Sequence, residues 1–228
     1  MRAIFHPFED IAGSILINDE QAKHLQVVRI KSGEEVLVLN GNGRKAFTTV
    51  GLITRNSVEL LVSKVEAENR KHSIHLAIAV PKKDAFEDIL KIAVEMGVKS
   101  IQPLTSDFSQ YEYVPGDRFN RILESALIQS NNAFLPEILP QVTLESFLAG
   151  NKHELYFFDS RPNPNKVSAG STKEKVVLIG PEGGFSEKEA NQILGLPDVF
   201  SIHLPTPIQR APTAVASSIG YLLGIARS

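Results

Sequence analysis

Apolar and polar residues alternate in short runs along the first third of the chain. Ser14–Ile17, Glu35–Leu39, Ala46–Leu52 and Val58–Val65 are β-branched or alternate with period two, the signature of half-buried strands. Turn sequences divide them, Asn40-Gly41-Asn42-Gly43 and Arg55-Asn56-Ser57 among them. One stretch, from about Asp19 to Val28, has helical character instead. The pattern predicts a small β-barrel over residues 1–70. Glu66–Lys71 is charged and holds no large apolar residue, so a linker is expected there, with the domain boundary between residues 70 and 71.

From Ile74 the period changes. Ile74–Val80 is an apolar run closed by Pro81, and Ala85–Glu95 carries Phe86, Ile89, Leu90, Ala93 and Val94 at helical spacing before Gly97. Ser100–Leu104 reads as the next strand and Arg118–Phe134 as a helix, with Pro136 and Pro140 breaking the chain after it. Glu154–Phe158, Lys175–Ile179 and Val199–Leu204 are further strands. Ser186–Leu194 predicts a short helix with Ser186 as N-cap and Glu189 completing a capping box. Thr213–Ala226 is the last helix, and Pro212 suits a first turn, where a missing N–H costs nothing. Asn163–Thr172, rich in Pro, Ser and Gly, reads as a mobile loop. Such alternation predicts an α/β domain over residues 71–228, a mainly parallel sheet with helices on both faces.

Composition narrows the chemistry. The 228 residues include no cysteine, which excludes disulfides, thiolate metal sites, Fe–S clusters and cysteine nucleophiles and fits a reducing compartment such as the cytoplasm. No apolar run is long enough for a membrane span, and Met1-Arg2-Ala3-Ile4-Phe5-His6-Pro7 has no secretory h-region. The net charge of −2 provides no global basic footprint, so a nucleic-acid partner must meet a local patch. His6, His72, His75, His153 and His203 show no ligand-like spacing, and no metal is expected.

Ligands of open α/β sheets bind beyond the carboxyl ends of the strands. Three loops there stand out, after Phe158, Ile179 and Leu204. In Val177-Leu178-Ile179-Gly180-Pro181-Glu182-Gly183-Gly184-Phe185 an apolar strand enters a turn with three glycines and then a capped helix. Glycines let backbone amides approach a ligand closely, but the same residues also make a plain strand-to-helix turn. The segment is neither a Walker A loop nor GxGxxG. In Leu204-Pro205-Thr206-Pro207-Ile208-Gln209-Arg210-Ala211-Pro212-Thr213-Ala214 the prolines stiffen a loop that sets Arg210 just before a helix start. The helix dipole disfavours a cation there, which leaves a functional role and a plain surface arginine both open.

These two loops, in this order, resemble the C-terminal part of the SPOUT methyltransferases and, more narrowly, the RsmE family of 16S rRNA uridine-N3 methyltransferases. The resemblance extends over nearly the whole chain. His24-Leu25-Gln26-Val27-Val28-Arg29 followed by Gly33-Glu34 is similar to the signature of that family's PUA-like barrel. Lys82-Lys83-Asp84, Lys91, Glu95, Gly97, Val98 and Ile101–Leu104 resemble a second family pattern. Ile179–Phe185 is the most specific match. The resemblance implies a PUA-like barrel followed by a trefoil-knotted domain that binds S-adenosylmethionine, in a homodimer acting on the small ribosomal subunit. It implies cofactor contacts from Leu178, Ile179, Gly180, Pro181, Glu182, Gly183, Gly184, Leu204, Pro205, Ile208, Gln209 and Thr213. It suggests RNA contacts from His24 and Arg29, which read equally as residues pinning the helix to the barrel, and from Lys82 and Lys83. Arg210 is the candidate catalytic residue, a cation to stabilise charge developing on the base.

Several positions depart from the family pattern. Pro205, Pro207 and Pro212 stand where a glycine, an arginine and a glutamate are usual. Ile128-Gln129-Ser130-Asn131-Asn132 keeps only the glutamine of Glu-Gln-x-x-Arg, Phe108 replaces the arginine of Glu-Arg-Ser, and Ala85 follows Asp84 where a basic residue is common. The glycines stay while charged groups go. No general base is evident, Glu182 being one stand-in. Beside an active uridine-N3 methyltransferase stand a relative with a shifted RNA substrate and a non-catalytic RNA- or ribosome-binding scaffold. Lys82, Lys83 and Lys91 read more readily as solvated lysines than as an RNA surface, and Tyr111 and Tyr113 as ordinary exposed loop tyrosines rather than platforms for bases.

Overall fold

The structure, a computed structural model, describes residues 1–9, 11, 13–159 and 173–225, without the side chains of residues 19, 20 and 24. The expected loop at Asn163–Thr172 and the side chain of His24 lie outside the described residues. The chain divides into two compact units, residues 1–70 with 124–135, and residues 71–123 with 136–228.

The first unit contains β1 (Arg2–Phe5), β2 (Ser14–Asn18), α1 (Asp19–Val27), β3 (Glu35–Leu39), β4 (Arg44–Ile53) and β5 (Ser57–Ala67). Its sheet has the order β1-β3-β4-β5-β2. β1 runs parallel to β3 and the other neighbours are antiparallel. Ile4, Ile17, Leu25, Val36, Val50 and Leu60, drawn from every strand and from α1, meet in one core. Two register shifts interrupt the β4–β5 ladder, and such bulges sharpen strand twist.

The expected linker begins inside a strand. Glu66 and Ala67 still pair with Lys45 and Arg44 at the end of β5. The Arg70 guanidinium lies 4.3 Å above the Phe134 ring and donates to the Leu135 carbonyl at 3.1 Å. Its charged composition concealed this order because an exposed strand end carries charge as readily as a linker does. The 133–135 segment follows the Asn40–Gly43 turn, where Gly43 N–H donates to Ala133 (2.8 Å) and Leu135 N–H to Gly41 (2.9 Å).

The second unit begins with β6 (Ile74–Ala79), α2 (Lys83–Glu95), β7 (Ser100–Thr105) and the start of α3 (Asp117–Ser130), whose residues from 124 on belong to the first unit. Then come β8 (Glu137–Ile138), β9 (Val142–Thr143), α4 (Leu144–Gly150), β10 (Glu154–Phe158), β11 (Lys175–Ile179), α5 (Glu187–Leu194), β12 (Val199–Ile202) and α6 (Ala211–Ile225). α3 stops short of its expected end at Phe134 because Asn131 turns left-handed, φ 51°, a common helix terminator. The sheet order is β12-β10-β11-β6-β7-β8, with β9 also on β7, and every pairing is parallel.

Ala77, Leu155, Phe157, Val176 and Leu178 share one sheet face and pack with Leu144 of α4 and Ala190 and Ile193 of α5. Alternate residues of the same strands point the other way, where α6 lies on β11 and packs against α2. The edge beyond β7 is split. β8 pairs with Ser100 and Ile101, β9 with Leu104 and Thr105, and between them Pro103 has no N–H to offer. The Gln102 side chain bridges this gap by donating to the Pro140 carbonyl at 2.6 Å.

Candidate functional site

Because the strands are all parallel, their carboxyl ends share one edge. The order turns at β6, with β7 on one side and β11, β10 and β12 on the other. A sheet of this kind opens a crevice at such a turning point, here between the loops after β6 and β11. The loops after Phe158, Ile179 and Leu204 leave three adjacent strands, the first of them described as far as Asp159.

The glycine turn occupies the central position. Gly184 has φ 74° and its N–H donates to the Pro181 carbonyl at 2.8 Å, closing the turn. Among the described residues, nothing accepts from the amides of Glu182 and Gly183. A Cβ on Gly180 would lie 3.0 Å from the Phe185 ring, and one on Gly183 would lie 3.6 Å from Phe108. Leu178, Ile179 and Pro181 are buried, so only their backbone can meet a ligand, while Glu182 is exposed.

The expected capping box is present, and it does more than start a helix. Ser186 Oγ accepts from Glu189 N–H at 3.2 Å, and Glu189 Oε2 accepts from Ser186 N–H at 2.9 Å. The other oxygen of Glu189 accepts from Asp107 N–H at 2.8 Å, and Ser186 Oγ donates to Asp107 Oδ2 at 2.6 Å. One buried carboxylate thus fastens the loop after β7 to the end of the glycine turn. That loop is further closed on itself by Ser106 and Ser109. Phe108, half exposed, is held over Gly183 as a result. The cap was legible in the sequence; its tie to Asp107, far away along the chain, was not.

The second loop is open to solvent. Pro205, Thr206, Pro207 and Ile208 are exposed, Ile208 at 91%. Leu204 is half-buried, and its carbonyl accepts from Thr206 N–H at 2.7 Å. Gln209 donates to Ser217 Oγ of α6 at 3.2 Å, so its side chain braces the loop. α6 starts at Ala211, slightly ahead of the expected Thr213, with Pro212 in its first turn and Thr213 exposed. Arg210 is exposed, and its carbonyl accepts from Ala214 N–H in the first helical bond.

Among the expected RNA contacts, Lys82 and Lys83 are exposed at the start of α2, where Lys82 makes no capping bond. Arg29 is exposed with φ 55°, in the left-handed position that ends α1. Tyr113 is not a free loop tyrosine. It packs on Phe86 and Phe119, and burial raises its phenol above the usual range.

Residues 67–223 match the family model for the RNA methyltransferase domain, and residues 17–63 match that for the RNA methyltransferase PUA domain. The chain belongs to the RNA methyltransferase domain family. It is 25% identical to the ribosomal RNA small subunit methyltransferase E of Rickettsia conorii, over 91% of this chain and 88% of that one. It is 27% identical to the protein of the same name from Synechocystis, over 97% and 78%. Ribosomal RNA small subunit methyltransferase E from Neisseria gonorrhoeae, solved with S-adenosylmethionine, superposes with TM-score 0.87 at 22% identity, over 98% of this chain and 97% of that one. A Legionella pneumophila methyltransferase solved with the same cofactor gives TM-score 0.83 at 25% identity, over 97% and 96%.

The RNA methyltransferase domain also holds a cluster that its sequence hid. His75 and His153 show no ligand-like spacing along the chain; parallel pairing of β6, β11 and β10 brings them together with Glu174, since each stands within one residue of a strand start. A hydrogen bond from the Lys99 ammonium, with help from His75 and against some burial, lowers the Glu174 carboxyl to about 2. Burial outweighs Glu174 and lowers His75.

Proposed function

We propose that the chain is an S-adenosylmethionine-dependent methyltransferase of small-subunit ribosomal RNA, with N3 of a uridine as the acceptor. The observation that carries this reading is the Gly180–Gly184 turn at the carboxyl edge of a parallel sheet, in a chain of the RNA methyltransferase family. Support comes from relatives named as small-subunit ribosomal RNA methyltransferases, matched over most of their length, and from solved neighbours that hold the cofactor.

The residues present fit such a cofactor. Among the described residues, nothing accepts from the backbone amides of Glu182 and Gly183, and a Cβ on Gly184 would meet nothing within 4 Å. Backbone groups of Leu178, Ile179, Gly180, Pro181, Glu182, Gly183 and Gly184 would hold it, joined by Leu204, Pro205, Ile208, Gln209 and Thr213. In this reading the segments after β11 and β12 form a trefoil knot, the protein works as a homodimer, and it resides in the cytoplasm. Residues 1–70 serve as the PUA-like RNA-binding domain, with His24 and Arg29 on RNA; Lys82 and Lys83 of the other unit also contact RNA.

When bound, S-adenosylmethionine supplies an electrophilic methyl group. The chain must do the rest. Uridine N3–H is roughly as weak an acid as a phenol, with pKa about 9 to 10. It must ionise before or during attack, and a cation near the carbonyl oxygens favours that. Arg210 is exposed at the end of the second loop, and a guanidinium is a cation suited to this task. Positioning and electrostatics of this kind are the main contributions an enzyme makes to an in-line displacement.

Calorimetric titration of the full chain with S-adenosylmethionine tests the pocket, with saturable binding of one cofactor per chain expected. Incubation with unmethylated small ribosomal subunits and labelled cofactor then tests the substrate. The label should enter the rRNA at a uridine whose pairing edge is blocked. Arg210→Ala should lower turnover about 100-fold or more while leaving cofactor affinity unchanged. Full turnover in that variant would remove Arg210 from catalysis, and no cofactor binding at millimolar concentration would leave an RNA-binding scaffold.

A further inference from the structure

The amino edge of the same sheet carries a second site, remote from the glycine turn. We propose that His75, His153 and Glu174 form a divalent transition-metal site of the kind that takes Zn²⁺, with its fourth position open to an adjoining cavity.

Topology supplies the ligands from three neighbouring strands. In the parallel register Glu154, Lys175 and Ile74 stand level across β10, β11 and β6. His153 and Glu174 immediately precede the first two, and His75 follows the third. The two imidazoles stack with centroids 5.1 Å apart and planes 6° from parallel. Both present Nε2 to one oxygen. His75 Nε2 is 3.1 Å and His153 Nε2 is 3.7 Å from Glu174 Oε2. The longer span is too great for a hydrogen bond. Ligands bound to one tetrahedral Zn²⁺ at the usual bond lengths lie about 3.3–3.5 Å apart. The three donor atoms lie within 4.8 Å of one another, so an ion would close the set by turning the imidazoles out of their parallel stack.

The surroundings are those of a ligand set. His75 Nδ1 is 2.7 Å from the hydroxyl of buried Ser100. Without metal, Nε2–H donates to Glu174 Oε2. A bound ion would take the place of that proton, with Nδ1–H then donating to Ser100 and fixing the ring, as outer partners of metal-binding histidines commonly arrange. Lys99 holds Oε1 of Glu174, which leaves Oε2 as a single donor. Lys99 also opposes a cation by its charge, so the site needs the two neutral imidazoles as well as the carboxylate. Two nitrogens and one oxygen select Zn²⁺ and its late first-row neighbours over Mg²⁺ or Ca²⁺. A cavity of ≈ 570 Å³, lined by His75, His153, Ser100, Gln102 and Asn151, adjoins the histidines and has room for a water or small anion as fourth ligand.

The ion would clamp the starts of β6, β10 and β11. The test uses the full chain without a histidine tag, stripped with chelator and titrated with Zn²⁺ and with Co²⁺. One Zn²⁺ per chain should bind, Co²⁺ should give the visible bands of a low-coordinate nitrogen–oxygen site, and Zn²⁺ should raise the melting temperature. His153→Ala and Glu174→Gln should each weaken Zn²⁺ at least about tenfold, and His6→Ala should not. In the wild-type chain, Co²⁺ should broaden the ring resonances of His75 and His153 first. Unmoved His75 and His153 rings at saturating metal would overturn the proposal even if a variant failed to fold. So would equal Zn²⁺ affinity in wild type and His153→Ala. Cofactor binding is measured separately, so failure here leaves the methyltransferase reading untouched.

Discussion

Gly43 shows how much a single position can fix. Its φ is 88°, and a Cβ there would stand 2.5 Å from the Phe134 ring, which the Arg70 guanidinium holds from one face. Left-handed backbone costs an L-residue about 1–2 kcal/mol, and pushing a packed ring aside costs about 1–3 kcal/mol more. Gly43→Ala should therefore lower unfolding free energy by about 2 kcal/mol or more, read as a lower urea midpoint. The Asn40-Gly41-Asn42-Gly43 turn was legible in the sequence because glycine and asparagine announce it. The partner was not: nothing in Ala133-Phe134-Leu135 signals that it follows a turn so far upstream. His75, His153 and Glu174 were hidden for the same reason, since only the pairing of parallel strands unites residues so widely spaced.

At the scale of elements, those with local causes were legible. α5 was read to its N-cap because a capping box is a local pattern, and α2 because its apolar period is strong. β8 and β9 were missed because they are two residues each and owe their separation to Pro103 on the neighbouring strand. β1 was missed because four residues offer too little alternation. The glycine turn was found as a motif, yet its rigidity comes from a tertiary tie. Glu189→Ala would leave the Asp107 and Ser186 amides without their buried acceptor. The expected loss is about 2 kcal/mol or more in urea unfolding, with Glu189→Gln milder because it keeps one acceptor oxygen. A second tie between elements is open to titration. Arg118 of α3 donates through Nη2 to Glu87 of α2 at 2.7 Å, and through Nε to the other oxygen, which lowers the Glu87 carboxyl below its usual value. A depressed carboxyl stabilises the fold above the unfolded-state pKa and loses that contribution as pH falls through the folded value. In Arg118→Met the Glu87 midpoint, followed by NMR, should rise toward the ordinary carboxylate value.

For the whole molecule, the charge balance decides how RNA can be held. With 24 basic and 26 acidic side chains, the long-range field of the protein does not attract a polyanion. Affinity must come from a few local cations, and each phosphate contact then leaves its mark on salt dependence. Arg29, Lys82 and Lys83 are exposed, and Lys82 and Lys83 meet Asp84 as their nearest acid along the chain. Arg29 is the more telling of the three. It sits in a left-handed position that glycine or asparagine fills without strain, so local backbone energetics do not explain an arginine there. Arg29→Gly should raise stability by about 0.5–1 kcal/mol by removing that strain, less the entropy glycine adds to the unfolded chain. If its side chain grips a phosphate, the same substitution should weaken RNA binding and reduce the slope of log affinity against log salt by about one. Lys82→Ala and Lys83→Ala should do the same to the slope without stabilising the fold. The measurement is a filter-binding series on small-subunit rRNA across several salt concentrations, alongside urea unfolding. A gain in stability with an unchanged slope would separate the two effects and assign Arg29 to neither phosphate nor fold.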